Sequence, residues 1–143
     1  MSYLIDTCIL SDVSKKADDG LVAWAAAQNP LDLYLSVLSL AEIQKGIDLL
    51  PNGDKRRSVL DGWLRQSLPA QFASRILPIG DAVAFAYGHL AAAGQRTGRP
   101  LPTLDGLLLA TAQVHDFTLV TRNLRDVEGR GVPVLNPYTN TRP

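Results

Sequence analysis

Apolar residues along this chain follow two rhythms. Tyr3-Leu4-Ile5 is an unbroken apolar run that ends on Asp6. A run without alternation suits a short strand buried on both faces. The stretches LDLYLSV (31–37), SRILPI (74–79), FTLVT (117–121) and VPVL (132–135) have the same character, which makes five strand candidates.

Between these runs the spacing is helical. TCILSDVS (7–14) starts a helix after Asp6. GLVAWAAAQN (20–29) is alanine-rich, with Asp18 and Asp19 as caps and Asn29-Pro30 as its break. In SLAEIQKGIDLL (39–50), Leu40, Ile43, Ile47 and Leu50 share one stripe. Pro51-Asn52-Gly53 ends that helix, and a charged amphipathic helix over 54–68 follows, closed by Pro69. AVAFAYGHLAAAG (82–94) is a further helix. LDGLLLATAQVHD (104–116) is apolar nearly all round and should be buried. Strands alternating with helices predict an α/β fold: three layers, with a central, mainly parallel sheet of about five strands and helices on both faces. The 143 residues, with no linker or repeat, fit a single domain over 1–143.

Charge narrows the partners. Fourteen basic and fourteen acidic residues leave no net charge, so any grip on nucleic acid must come from local patches. The one cysteine, Cys8, permits no internal disulfide. Together with the lack of a secretory pattern or a membrane-length apolar run, that predicts a cytoplasmic protein.

The acids change the picture most. A carboxylate directly after a buried strand is costly unless something pairs with it. Asp6 stands there, at the carboxyl end where open parallel sheets bind ligands. Glu42 falls at the start of the helix after the second strand, Asp105 at the start of the buried helix, and Asp126 just after the fourth strand. Four acids at one rim repel each other, so at least one pKa should be raised and a cation favoured. Oxygen ligands suit Mg²⁺ or Mn²⁺. Each acid also has a plainer use. Ser39 to Glu42 spells a capping box. Asp105 suits a helix dipole, Asp126 could follow an Asn123 cap, and Asp6 could be a hydrogen-bonded structural residue.

Other chemistries lack their parts. Ser14 stands where a Cys-x5-Arg phosphatase loop needs its arginine, so Cys8 reads as an inert buried thiol. His89 and His115 share no ligand spacing, and no nucleophile elbow or phosphate-binding glycine loop is present.

YLIDTCIL, SVLSLAEIQKGI, PLPTLDGLLLATA and TLVTRNLRDV occur in this order across essentially the whole chain. In these pieces the chain resembles PIN-domain ribonucleases of the VapC type, the toxins of bacterial toxin–antitoxin pairs. The resemblance implies a PIN-like sandwich and a Mg²⁺- or Mn²⁺-dependent endoribonuclease. It places the metal-binding and catalytic acids at Asp6, Glu42, Asp105 and Asp126. Asp6 and Asp105 would be the main ligands, and Glu42 would hold a water or a second ion. The last motif reads Asp126-Val127 where relatives commonly have Asp-Phe, and Cys8 replaces a small polar residue. Thr7 is expected to orient Asp6 through its hydroxyl, and Thr121 to do the same near Asp126. Arg96, Arg99, Arg122 and Arg125 flank these motifs and are expected to meet RNA phosphates. Lys55–Arg57 reads as a solvated helix face. The apolar segments after the first strand and around Trp63 offer a groove for a partner. The resemblance implies a cognate antitoxin across the active-site groove, and a homodimer. The alternative is an inactive PIN-fold module that binds RNA or a protein without cutting.

Overall fold

The computed structural model describes residues 1–139. The strands are β1 (Tyr3–Ile5), β2 (Leu33–Ser36), β3 (Ile76–Leu77), β4 (Thr118–Val120) and β5 (Val134–Leu135). They form one sheet in the order β3-β2-β1-β4-β5, with every pairing parallel. The helices are α1 (Thr7–Ser14), α2 (Asp19–Ala27), α3 (Val37–Asp48), α4 (Arg56–Gly62), α5 (Leu68–Gln71), α6 (Asp81–Arg96), α7 (Thr103–His115) and α8 (Leu124–Val127). The expected α/β class, strand number and parallel pairing are all present.

Strand geometry explains why the apolar runs do not alternate with polar residues. Successive side chains point to opposite faces, and here both faces are covered. Leu4 and Leu119 pack with Val83, Leu90, Leu108 and Leu109 of α6 and α7. Their neighbours Ile5 and Val120 pack with Ile9, Leu21, Leu35, Ile47 and Leu68 on the other side. The result is the three-layer arrangement the pattern predicts.

Several boundaries differ from expectation. Each outer strand keeps two paired residues, fewer than its apolar run suggested; short edge strands leave little open backbone. The helix expected to end at Pro69 continues to Gln71. A π turn at Trp63–Ser67 intervenes, and Pro69 then falls in the first turn of α5, where a missing N–H costs little. No helix among the described residues is long and apolar enough to cross a membrane.

The topology places the site. From β1 the chain proceeds outward to β2 and β3, then returns to the other side of β1 for β4 and β5. Strand order therefore reverses between β1 and β4, and a crevice opens at the carboxyl ends of such a pair. The register Ile5↔Val120 puts Asp6 and Thr121 side by side at that crevice. α7 is brought against α6 by Gly106, where a Cβ would lie 2.7 Å from Tyr87 and 2.9 Å from Leu101. That close approach fixes the first turn of α7, which carries Asp105.

Leu109→Ala, at a fully buried position, should lower the unfolding free energy by about 2–5 kcal/mol in urea titrations. Phe85→Ser, at a position 72% exposed on α6, should change it by about 0.5 kcal/mol or less. Comparable losses from both would contradict the layer assignment.

Candidate active site

Asp6 ends β1 and is also the N-cap of α1. Its Oδ1 accepts from the Thr7 N–H at 2.6 Å, and its Oδ2 accepts from the Thr121 hydroxyl at 2.8 Å. The backbone N–H of Asp6 also donates to the Val120 carbonyl at 2.9 Å. The carboxylate is thus held both by the first turn of α1 and by the residue that follows β4. Thr121 is 2% exposed, and its oxygen accepts from the Asn123 N–H at 3.2 Å.

Glu42 is held differently. The Thr7 hydroxyl lies 2.8 Å from Glu42 Oε1 and 2.9 Å from the Ser39 hydroxyl. A carboxylate only accepts, so the single Thr7 proton goes to Glu42 and Ser39 supplies the second bond. The capping-box use of Glu42 is not realised. α3 begins at Val37 with Ser36 as its cap, so Ser39 and Glu42 lie within the helix, one turn apart on the same face. Ser39 is fully buried and is tied to the first strand's aspartate through Thr7.

The two threonines differ from their expected tasks. Thr7 grips Asp6 through its backbone and gives its hydroxyl to Glu42. Thr121 gives its hydroxyl to Asp6, not Asp126. Asn123 is not a side-chain cap for α8. Its amide donates to Asp126 Oδ2 at 2.9 Å and reaches Asp105 Oδ2 at 3.4 Å, so it bridges the two remaining acids.

Asp6, Glu42, Asp105 and Asn123 line one open cavity of about 570 Å³, with Cys8, Leu104 and Leu108 supplying apolar wall. Asp126, bonded to Asn123, does not line the cavity. Burial, and then the charges of Asp6, Asp126 and Glu42, raise the Asp105 pKa above its ordinary 3.8. A raised acid was expected here from repulsion at the rim; burial is the larger cause, and the neighbouring carboxylates add to it. Burial and then Asp6 push the Cys8 thiol up to about 11, so it is no thiolate at neutral pH. His115 closes the far end of α7, ten residues beyond Asp105, roughly 15 Å along the axis.

The donor set is carboxylate, hydroxyl and amide oxygen, without imidazole, and this chemistry fits a hard divalent cation. Among the described residues no three acidic, histidine or cysteine side chains form a ready cage by themselves. An ion such as Mg²⁺ needs no such cage, because it keeps several waters and takes one or two carboxylates. The all-oxygen set and the raised Asp105 therefore fit a hydrated ion better than a fully protein-ligated one.

The expected RNA-binding arginines diverge. Arg96 and Arg125 are exposed at their helix ends. Arg122 is exposed and lies over the Tyr138 ring, 5.1 Å from its centroid. The Tyr138 hydroxyl is in turn bonded to Asp12 at 2.6 Å. Arg99 points elsewhere, donating to the carbonyls of Glu128 and Arg125. Ser39, Arg130 and Tyr138 were not legible as site residues. Each acts through a partner more than twenty residues away, and no local pattern encodes such a partner.

Three comparisons bear on this geometry. The PIN domain family model matches residues 3–127. The chain is 35% identical over 136 residues to Toxin FitB of Neisseria gonorrhoeae, covering 94% of this chain and 97% of that one. It is 32% identical over 136 residues to VapC ribonuclease Y4jK of Sinorhizobium fredii, covering 94% and 96%. The crystal structure of FitAcB from Neisseria gonorrhoeae superposes with a TM-score of 0.87 at 34% identity, over 94% of this chain and 97% of that chain.

The raised Asp105 pKa sets a pH signature. The metal-free fold holds that proton more tightly than the unfolded chain, so ionising Asp105 costs stability. The cost is absent below the unfolded pKa of about 3.9, grows as pH rises through the folded value, and is complete above it. Asp105→Asn should therefore raise the Tm of the metal-free protein at pH 7 by a few degrees and leave it unchanged at pH 3. Differential scanning calorimetry in EDTA reads both, and a variant that melts lower at pH 7 would mean that Asp105 is tied into the fold, not repelled by it.

Proposed function

The chain belongs to the PIN-domain family, and from that premise we propose that it is a divalent-metal-dependent endoribonuclease, the toxin of a toxin–antitoxin pair. The observation that carries this is the cavity at the β1/β4 switch point, lined by Asp6, Glu42 and Asp105. Similarity to a chain named VapC ribonuclease supports RNA as substrate, and similarity to one named Toxin FitB supports the toxin role.

Asp6 and Asp105 are the proposed ligands of Mg²⁺ or Mn²⁺, with Glu42 beside them and Asp126 supporting through Asn123. A divalent ion there supplies positive charge against the scissile phosphate and acidifies water. The rest falls to the chain. Thr7 and Thr121 fix both Asp6 oxygens in place, so no side-chain reorganisation is needed when substrate arrives. Glu42 has one oxygen committed to Thr7, and its other oxygen is the proposed acceptor of the attacking water's proton. Leu104 and Leu108 shield one wall from bulk water. Arg122, steadied on Tyr138, is the proposed phosphate contact at the mouth. Water acidified by a divalent ion needs no 2′-hydroxyl as nucleophile, so water is the proposed nucleophile, and the products would carry 5′-phosphate and 3′-hydroxyl ends.

The antitoxin is the proposed protein partner. A second cavity of about 170 Å³, lined by Ile9, Leu10, Val13, Trp24, Trp63 and Phe72 among others, opens between α1, α2 and the π turn. It is the apolar groove expected from the segments after β1 and around Trp63, and we assign the partner's apolar side chains to it.

Purified protein freed of any partner should cleave RNA with Mg²⁺ or Mn²⁺ and stop in EDTA. Asp6→Asn should lower single-turnover cleavage by about 100-fold or more while keeping the circular-dichroism spectrum. End-labelling should find 5′-phosphate. Full cleavage by a folded Asp6→Asn protein, or 2′,3′-cyclic phosphate ends, would defeat this function.

A further inference from the structure

Two arginines next to the acids make no use of their charge against a carboxylate. Arg99 donates from Nη1 to the Glu128 carbonyl and from Nη2 to the Arg125 carbonyl, both at 2.6 Å. Arg130 donates from Nε to the Asp126 carbonyl at 2.8 Å, from Nη1 to the Arg99 carbonyl at 3.1 Å, and from Nη2 toward Pro100 at 3.5 Å. The bonds interlock: Arg99 grips α8, and Arg130 grips both α8 and the backbone of Arg99. They join the short helix that carries Asp126 to the loop that leads into α7 and Asp105.

The surrounding backbone is built for this clasp. Gly129 and Gly131, at φ +72° and +85°, turn the chain back on either side of Arg130. The Arg99 N–H donates to the Gly94 carbonyl at 2.8 Å. A Cβ on Gly94 would lie 2.6 Å from the Arg99 carbonyl and 2.9 Å from Arg130 Nη1, so α6 backs the clasp without room for a side chain. Burial and then the nearby Arg99 lower the Arg130 pKa, while Asp126 opposes this. Two like charges are held together here, and the carbonyls are what hold them. An arginine aimed at the Asp126 carboxylate would neutralise it. Aimed at the Asp126 carbonyl, it places that residue and leaves the carboxylate free to accept from Asn123, which does line the cavity.

We propose that Arg99 and Arg130 are positioning residues of the metal site, clasping α8 to the 99–100 loop so that Asp126 is held beside Asp105. This rests on the metal-dependent function above, and it reassigns Arg99 from RNA contact to site assembly. A planar guanidinium spans two carbonyls, whereas a lysine ammonium keeps the charge but not the span.

The test uses the full chain, with Mn²⁺ alone as the metal probe. Arg99→Lys and Arg130→Lys are compared with wild type and in the Asp126→Asn background. Each should speed amide exchange over residues 123–130, weaken Mn²⁺ binding in calorimetry by about 10-fold, and lower kcat for RNA. The KM and the salt dependence of RNA binding should not change. In the Asp126→Asn background neither should cost anything further, because coupled residues do not add. Gly129→Ala strains the same turn without touching a charge, and it should reproduce the loss if a lysine variant fails to fold. A loss that adds to Asp126→Asn, or appears in KM with a shallower salt dependence, would overturn the clasp and return Arg99 to the RNA. Wild type carries the functional premise separately: if it binds Mn²⁺ but leaves RNA intact, the ribonuclease fails while calorimetry and exchange still decide the clasp. If wild type binds no Mn²⁺, both fail.

Discussion

Repulsion among carboxylates gathered at one edge of the sheet is the constraint on which the rest of this structure turns. Burial, and then the charges of Asp6, Asp126 and Glu42, raise the proton affinity of Asp105, so these acids act on one another. Such a cluster opposes folding of the metal-free chain. It persists because each acid is fastened by groups from elsewhere: Thr121 and the start of α1 for Asp6, the Thr7–Ser39 pair for Glu42, and Asn123 for Asp105 and Asp126. No buried side-chain oxygen or nitrogen among the described residues is left without a partner. The cost is then electrostatic and not one of lost hydrogen bonds, and a cation is the kind of ligand that removes it.

The fold supplies these fastenings through topology. β1 is flanked by β2 and β4, so the ends of three strands and the helices that leave them meet at one crevice. Apolar packing on both faces fixes the strands, and the carboxyl ends inherit that rigidity. Preorganisation of this kind matters for phosphoryl chemistry, where placing charge contributes more than covalent participation by the protein. The chain as a whole is electrically neutral. Any hold on a polyanion must then come from a few positioned cations such as Arg122, which stacks on Tyr138 beside the site.

Much of this was legible in the sequence, and the remainder was not for a physical reason. Unalternating apolar runs announced a sheet covered on both faces, and Asp6 after Ile5 announced the crevice, because both signals are local. Glu42 was read as a site acid, with a capping box as its plainer use because Ser39 stands three positions before it. Only the true start of α3 at Val37 shows that Ser39 and Glu42 are both turned toward Thr7. The task of Thr121 depended on the β1–β4 register, and that of Thr7 on the pairing of β1 with β2, which brings α3 alongside; both are tertiary facts. Arg99 carried charge in the right neighbourhood and was read as a phosphate contact; its carbonyl partners lie 26 and 29 residues away. Pro69 looked like a stop until the π turn before it shifted the phase of the helix.

The central claim is that these acids form one cation site and are not an accident of surface charge. The most direct measurement is a crystal structure with Mn²⁺ and anomalous scattering recorded at the manganese edge. An anomalous peak is expected in the cavity within ligand distance of Asp6 and Asp105, with Thr121 and Thr7 unmoved. Crystals grown with millimolar Mn²⁺ that show no peak there, or only peaks at distant surface acids, would contradict it.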